Sequence, residues 1–234
     1  MRLLALDAAT EACSVALLVD GALISRTIES GKSNAVKIMK MAEEVLAEAQ
    51  VSLSMLDGIA ASIGPGAFTG VRISVAVAQG LAFGADLKVV PITTLEALAL
   101  QVIDGPERRA LACLDARMGE IYWGCFAWDA ASGVVPTSAL RVGPPGSVSL
   151  DPAAGARYVG VGRGFSAYPL LATLPGVTID EARSAALPSA REIARLGAQR
   201  LEGGAALDAA YLQPLYLRDK VAFTEAERAA RSPL

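Results

Sequence analysis

Two short segments hold the residue types that could grip an anion or a metal-bound phosphate. Asp7-Ala8-Ala9-Thr10 places a carboxylate and a hydroxyl, both hard oxygen ligands, three residues apart where an apolar run ends. Gly64-Pro65-Gly66-Ala67-Phe68-Thr69-Gly70 is a glycine-rich turn between two apolar segments, an arrangement that aims backbone N–H groups at an anion. Asp7, Thr10, Gly64, Gly66, Thr69 and Gly70 are therefore the candidate nucleotide or anion site. The turn is not a P-loop, because no lysine follows it and the nearest cation is Arg72. A structural reading stands beside the functional one: Gly66 and Gly70 supply positive φ, Thr69 caps the next helix, and Asp7 closes a hairpin as an Asx turn. Gly160, Gly162 and Gly164 have the wrong spacing for a dinucleotide fingerprint and read as a turn. Asp115, Arg117, Glu120, Tyr122 and Trp123 form a polar and aromatic cluster whose Asp–Arg pair reads as structural.

Composition removes much else. The chain of 234 residues contains no histidine, which excludes Ser-His-Asp triads, Cys-His dyads and His-ligated zinc. Its net charge is −3, so no global positive field draws it onto nucleic acid. Cys13, Cys113 and Cys125 form no CxxC pair and sit in apolar runs, as core thiols of a reducing, cytoplasmic protein do. The apolar start is broken by Asp7 and Glu11, unlike a secretory signal, and no apolar run approaches the ~18 residues of a membrane span. A soluble α/β protein with no membrane partner is expected. With 53% apolar residues it has ample material for a core.

The elements that would position these residues follow from periodicity. Leu3–Leu6, Cys13–Val19 and Ala22–Ile28, the last two joined by Asp20-Gly21, predict a three-strand meander. From Ala35 the apolar residues Ile38, Met39, Ala42, Val45, Leu46 and Ala49 recur at helical spacing, predicting a helix capped near Ser33 with Val36 and Met41 off its core stripe. Gly58–Ile63 and Lys88–Ile92 read as buried strands. Between them, residues 71–85 alternate with period two but are too long for a strand and supply the crossover that two parallel strands need. Thr93-Thr94-Leu95-Glu96 is a capping box opening a helix to about Val102. Asp115-Ala116-Arg117 and the run Ile121–Trp128 echo Asp7-Ala8-Ala9 and Cys13–Val19, which implies two related lobes with a boundary near residue 105. Ser189 caps a last helix ending at Gly203-Gly204, Tyr211–Leu217 is a candidate strand, and the charged end is expected to be mobile.

Leu4-Ala5-Leu6-Asp7-Ala8-Ala9-Thr10-Glu11-Ala12-Cys13-Ser14-Val15-Ala16 and Gly64-Pro65-Gly66-Ala67-Phe68-Thr69-Gly70-Val71-Arg72-Ile73 resemble the bacterial TsaB family, also called YeaZ. The resemblance continues through Ala78-Gln79-Gly80-Leu81-Ala82 and Asp115–Trp123 to Pro214-Leu215-Tyr216-Leu217-Arg218. It implies an α/β fold of actin/Hsp70/sugar-kinase type, with one lobe at 1–105, a smaller one at 106–220 whose residues 206–220 return to the first, and a tail at 221–234. It also implies a non-catalytic subunit that binds and supports TsaD, together with TsaE. TsaD is the enzyme that transfers a threonylcarbamoyl group to N6 of adenosine 37 in tRNA. In TsaD-like proteins an Asn-His-x-Glu-Ala-His segment ligates the metal. Here Thr93–Leu98 matches it, with Thr94 and Leu98 at the ligand positions.

The resemblance implies that the helices at 34–49 and 71–84 dock on TsaD, which makes Val36, Lys37, Lys40, Met41, Arg72, Val75 and Gln79 the candidate interface. The alternative, that the second helix is sandwiched inside its own lobe, stays open. Asn34 stands where relatives often carry histidine. Further expectations are a homodimer when alone, contact with tRNA only through the complex, no cofactor of its own, and ATP or ADP in the complex. The competing readings are a small ATP-dependent kinase or ATPase using Asp7, Thr10 and the Gly64–Gly70 turn, and a peptidase, which the absence of histidine opposes.

Overall fold

The computed structural model describes residues 1–29, 35–150 and 156–218. The expected cap at Ser33, the substitution at Asn34 and the expected tail at 221–234 lie outside them. β1 (Arg2–Asp7), β2 (Ala12–Val19) and β3 (Ala22–Glu29) form the antiparallel meander. Asp20 (φ 48°) and Gly21 (φ 89°) turn β2 into β3 with the two left-handed residues that match the twist of a tight hairpin. There follow α1 (Ala35–Glu48), β4 (Gly58–Ser62), α2 (Phe68–Ala85), β5 (Lys88–Ile92) and α3 (Thr94–Ala99). β4 pairs parallel with β1 and β5 parallel with β4, and α2 is the crossover that this pairing requires. Thr93 and Glu96 complete the capping box reciprocally, but α3 stops at Ala99 and tightens into turns before Val102.

The second half repeats the plan. β6 (Arg109–Arg117), β7 (Glu120–Asp129) and β8 (Gly133–Pro136) form an antiparallel meander, with β9 (Arg141–Gly143) also on β7. β10 (Tyr158–Val161), the single-turn helix α4 (Gly164–Ala167) and β11 (Val177–Ile179) then add two parallel strands beside β6. The chain closes with α5 (Ala190–Glu202) and the two-residue β12 (Leu207–Asp208). Strand orders β5-β4-β1-β2-β3 and β11-β10-β6-β7-β8 are the same order used twice, and β12 extends the first sheet beyond β5. No strand forms at 211–217: a 3-10 turn at Ala209–Tyr211 is followed by irregular chain that lends the first sheet one bond, Leu215 N to Ile63 O at 2.7 Å.

The layers do not follow the chain's halves. α1 and α2 cover the outer face of the first sheet, α4 and neighbouring turns the outer face of the second, and α3 with α5 fill the space between the sheets. Each inner helix crosses over: α3, which follows the first sheet, packs on β6, β7 and β8, whereas α5, which follows the second, packs on β1, β2, β4 and β5. Gly197 allows this approach, since a Cβ there would lie 2.5 Å from the Ala60 Cβ. All three cysteines are buried. Burial pushes the Cys13 thiol up to about 12 and Cys113 well above the usual range, which leaves both inert as core residues.

Candidate functional site

A cleft of about 1140 Å³ opens between the lobes. The β1–β2 turn (Ala9, Thr10, Glu11) and the start of α2 form its first-lobe wall, and the β6–β7 hairpin with α4 forms the other. Residues 215–218 complete the rim. Its charge is arranged in pairs, of which the two on Glu11 cross the gap. Arg117 reaches Glu11 Oε1 at 2.9 Å and Asp115 Oδ2 at 3.0 Å, Arg163 reaches Glu11 Oε2 at 3.7 Å, and Arg218 binds Glu120. Arg72 instead lies flat on an aromatic pair, its guanidinium carbon 3.2 Å from the Phe68 ring centre and 5.2 Å from that of Tyr216. On the second-lobe side, burial raises the Tyr122 phenol, and burial with the nearby Asp115 carboxylate raises Tyr168.

The six candidate anion-site residues separate. Thr10 and Gly66 line the cleft, whereas Asp7, Gly64, Thr69 and Gly70 do not. Asp7 is fully buried beneath the β1–β2 turn, so its expected approach to a metal-bound nucleotide is corrected. Its Oδ1 accepts from Ser62 Oγ and from Ala9 N (3.1 Å), while Ser62 meets Ser74 Oγ at 3.1 Å, which in turn accepts from Ala8 N at 3.0 Å. Asp7 Oδ2 finds no hydrogen-bond partner among the described residues, and desolvation raises the carboxyl above the ordinary range despite the bonds that oppose it. This network pins the cleft-lining turn from below.

The glycine turn is shaped by close approach. A Cβ on Gly66 would lie 2.1 Å from Ala9 O, and one on Gly70 2.0 Å from Ala8 O, so both glycines let the α2 entrance press against the β1–β2 turn. Positive φ falls on Gly64 (φ 99°) and on neither of these two, and the α2 N-cap is Ala67 with no side-chain bond, so Thr69 does not cap.

Of the seven candidate interface residues, Met41 (2% exposed) and Val75 (4%) are corrected. Both belong to the core between the sheet and its two outer helices, because the stripe of α1 runs Ile38, Met41, Ala42, Val45 and that of α2 includes Val71, Ser74, Val75, Ala78 and Ala82. Gln79 is half-buried and spends its amide on Ala209 O (3.1 Å) and Leu212 O (3.0 Å). Lys37 is half-buried, and Lys40, Arg72 and Val36 are exposed, Val36 at 77%. The open face of α2 runs Arg72, Ala76, Gly80, Phe83 and Gly84, flanked by half-buried Ile73, Val77 and Leu81, with Phe83 84% exposed. Although α2 has the length and composition of a membrane span, its other face packs on the sheet. Glu11, Phe68, Arg163, Tyr216 and Arg218 were invisible as site residues. Glu11 and Phe68 adjoin or lie within the two candidate segments and Tyr216 and Arg218 share one stretch, but only the cleft joins these segments to one another and to Arg163.

The two ligand positions suggested by the TsaD-like pattern, Thr94 and Leu98, are both fully buried in the core between the sheets. Among the described residues no three His, Cys, Asp or Glu side chains are placed to hold a metal ion.

Comparison with known proteins agrees with this architecture. The family model described as TsaD, tRNA N6-adenosine threonylcarbamoyltransferase, matches residues 28–226. The tRNA threonylcarbamoyladenosine biosynthesis protein TsaB of Escherichia coli (strain K12) is 34% identical over 231 residues, covering 95% of this chain and 97% of that protein. The protein of the same name from Haemophilus influenzae is 44% identical over 124 residues, 53% of this chain and 52% of that one. The solved structure of YeaZ from Pseudomonas aeruginosa superposes with a TM-score of 0.83 at 36% identity, over 92% of this chain and 99% of that chain. A further Pseudomonas aeruginosa structure, described as similar to peptidase YEAZ, gives 0.83 at 37% identity over 93% and 99%. Identity over nearly the whole length and the superposition on YeaZ place this chain, whose strand order repeats in the two sheets of an actin-like two-lobe fold, in the TsaB (YeaZ) family.

Proposed function

We propose that the chain serves tRNA threonylcarbamoyladenosine biosynthesis in the cytoplasm as a subunit without a reaction centre of its own, docking TsaD on the outer face of α1 and α2, with TsaE joining the complex. The observation that carries this reading is the open face of α2. Along it one cation, Arg72, accompanies small and apolar residues that end in an almost fully exposed Phe83. A large exposed aromatic beside small residues is the composition of an interface, and a chain left alone would cover it with a second copy. The core positions of Thr94 and Leu98 support the non-catalytic half of the proposal, because nothing on that face of α3 reaches solvent. The net charge of −3 supports a role in which tRNA is held mainly by the partner. The kinase reading loses the carboxylate it required, since Asp7 faces the interior.

The test mixes the chain with TsaD, follows association by light scattering, and assays tRNA modification on each fraction. A heteromer should form at the expense of the homodimer, with modification confined to it. Phe83→Glu should weaken association by about thirtyfold or more, as loss of an aromatic anchor does, with an unchanged melting temperature because the side chain packs on little of its own protein. Transfer by the lone chain, or full association of Phe83→Glu, would overturn the proposal.

A further inference from the structure

Residues 209–218 start on the first lobe and end on the second. The near end is held by neutral bonds: Gln79 on α2 grips two of its carbonyls, Leu212 is buried, and Leu215 N donates to Ile63 O. The far end is ionic. Arg218 binds the Glu120 carboxylate, stands 3.5 Å from the Arg117 carbonyl oxygen, and lies 5.9 Å from the centre of the Tyr122 ring. All three contacts belong to the β6–β7 hairpin, whose turn holds Met118 (φ 61°) and Gly119 (φ 79°) as the left-handed central pair that suits a tight hairpin, with Arg117 (φ 60°) also left-handed just before them. Outside that central pair a residue with a side chain adopts the left-handed conformation at a cost, so the strain lies at Arg117, and strain of this kind persists where neighbours hold it. The same tip reaches back to the first lobe through the Arg117–Glu11 pair.

We propose that residues 209–218 are a latch across the inter-lobe cleft, and that its Arg218–Glu120 end releases to let the β6–β7 tip relax and the cleft widen. The asymmetry of the anchors sets which end lets go. Backbone and amide bonds on the first lobe are indifferent to salt, whereas the Arg218–Glu120 pair, open to solvent through its carboxylate (side-chain exposures 15% and 36%), is weakened by salt and yields to a competing anion. The latch also joins two surfaces that are separate in the fold, because its near anchor, Gln79, is on α2 and its far anchor is on the opposite lobe.

The test needs only the chain itself. Ala67→Cys and Ser166→Cys put spin labels on opposite walls of the cleft at exposed positions, and the native cysteines are buried. The labelled parent should show a short inter-lobe distance at about 0.1 M salt and a longer one at about 1 M, where the screening length falls from roughly 10 Å to 3 Å. Adding Arg218→Ala should give the longer distance at both. Glu120→Gln, which removes the same charge pair from the other side, should do likewise and decides the matter alone if the first variant does not fold. A folded variant whose distance matches the parent's at low salt would overturn the latch.

Discussion

Asp7 shows how one residue type can signal two chemistries. In the sequence it is a carboxylate at the end of a strand beside a hydroxyl, a plausible partner for a metal-bound phosphate. In the structure it is a buried acceptor that fixes the β1–β2 turn through Ala9 N and Ser62. Burial raises its folded-state pKa above the unfolded value. The folded protein therefore holds this proton more tightly, so the carboxyl's contribution to stability is largest below the unfolded pKa and declines as pH rises from about 4 toward the folded value. Asp7→Asn keeps the shape and cannot ionise. Denaturant titrations of both proteins between pH 4 and 7 should show the variant gaining steadily on the parent as pH increases, and a constant difference would mean that Asp7 is not desolvated as described. Gly66 and Gly70 teach a related lesson: glycine was expected for its φ, but at both positions it is the missing Cβ, close against a carbonyl oxygen, that matters.

Among the elements, α3 was legible at its start and not in its purpose. Thr93 and Glu96 form a capping box that four residues announce, and both reciprocal bonds are present. What the pattern does not announce is Arg200, from α5, whose guanidinium meets Glu96 Oε1 at 2.7 Å and also donates to Pro91 O and Val134 O. The pair is largely desolvated, with side-chain exposures of 15% and 7%. Removing one partner strands the other's charge, so Arg200→Ala should cost about 3–5 kcal/mol in urea unfolding, well beyond the median surface pair. A loss under 1 kcal/mol would show that Glu96 is satisfied by its cap alone. The period-two pattern of 71–85 misleads because α2 buries one face and leaves the other apolar for contact. Two apolar faces on one helix erase the single stripe by which helices are recognised.

At the scale of the molecule, the lobes are tied by exchange. α3 and α5 each pack on the other half's sheet, and the core between the sheets draws residues from both lobes. A division near residue 105 therefore describes the duplication of the chain but not a unit that could fold alone. Unfolding should be one cooperative transition, with calorimetric and van't Hoff enthalpies equal and fluorescence and circular dichroism coincident. Two resolved transitions would mean that the shared core contributes little. The rigid centre leaves the cleft rim, where the contacts are charge pairs and a strap, as the part free to respond to salt or ligand.

Local order in the sequence decided a good deal by itself. Apolar runs set strands β1–β7, the Asp20-Gly21 turn and the Thr93–Glu96 capping box followed from backbone chemistry, whereas the second box expected at Ser189–Glu192 is only a simple cap, Ser189 accepting from Arg191 N; the echo of Asp7 in Asp115 announced a duplicated fold, and the absence of histidine narrowed the chemistry before any shape was known. These are properties of neighbours along the chain, where sterics and hydrogen bonding act within a few residues. Only the tertiary structure decided that Asp7 is interior, that Met41 and Val75 are core rather than interface, that α5 belongs on the first sheet, and that Arg218 pairs with Glu120. Each of these depends on which surfaces meet after a long stretch of intervening chain has folded, and burial and charge pairing at such range leave no local pattern to read.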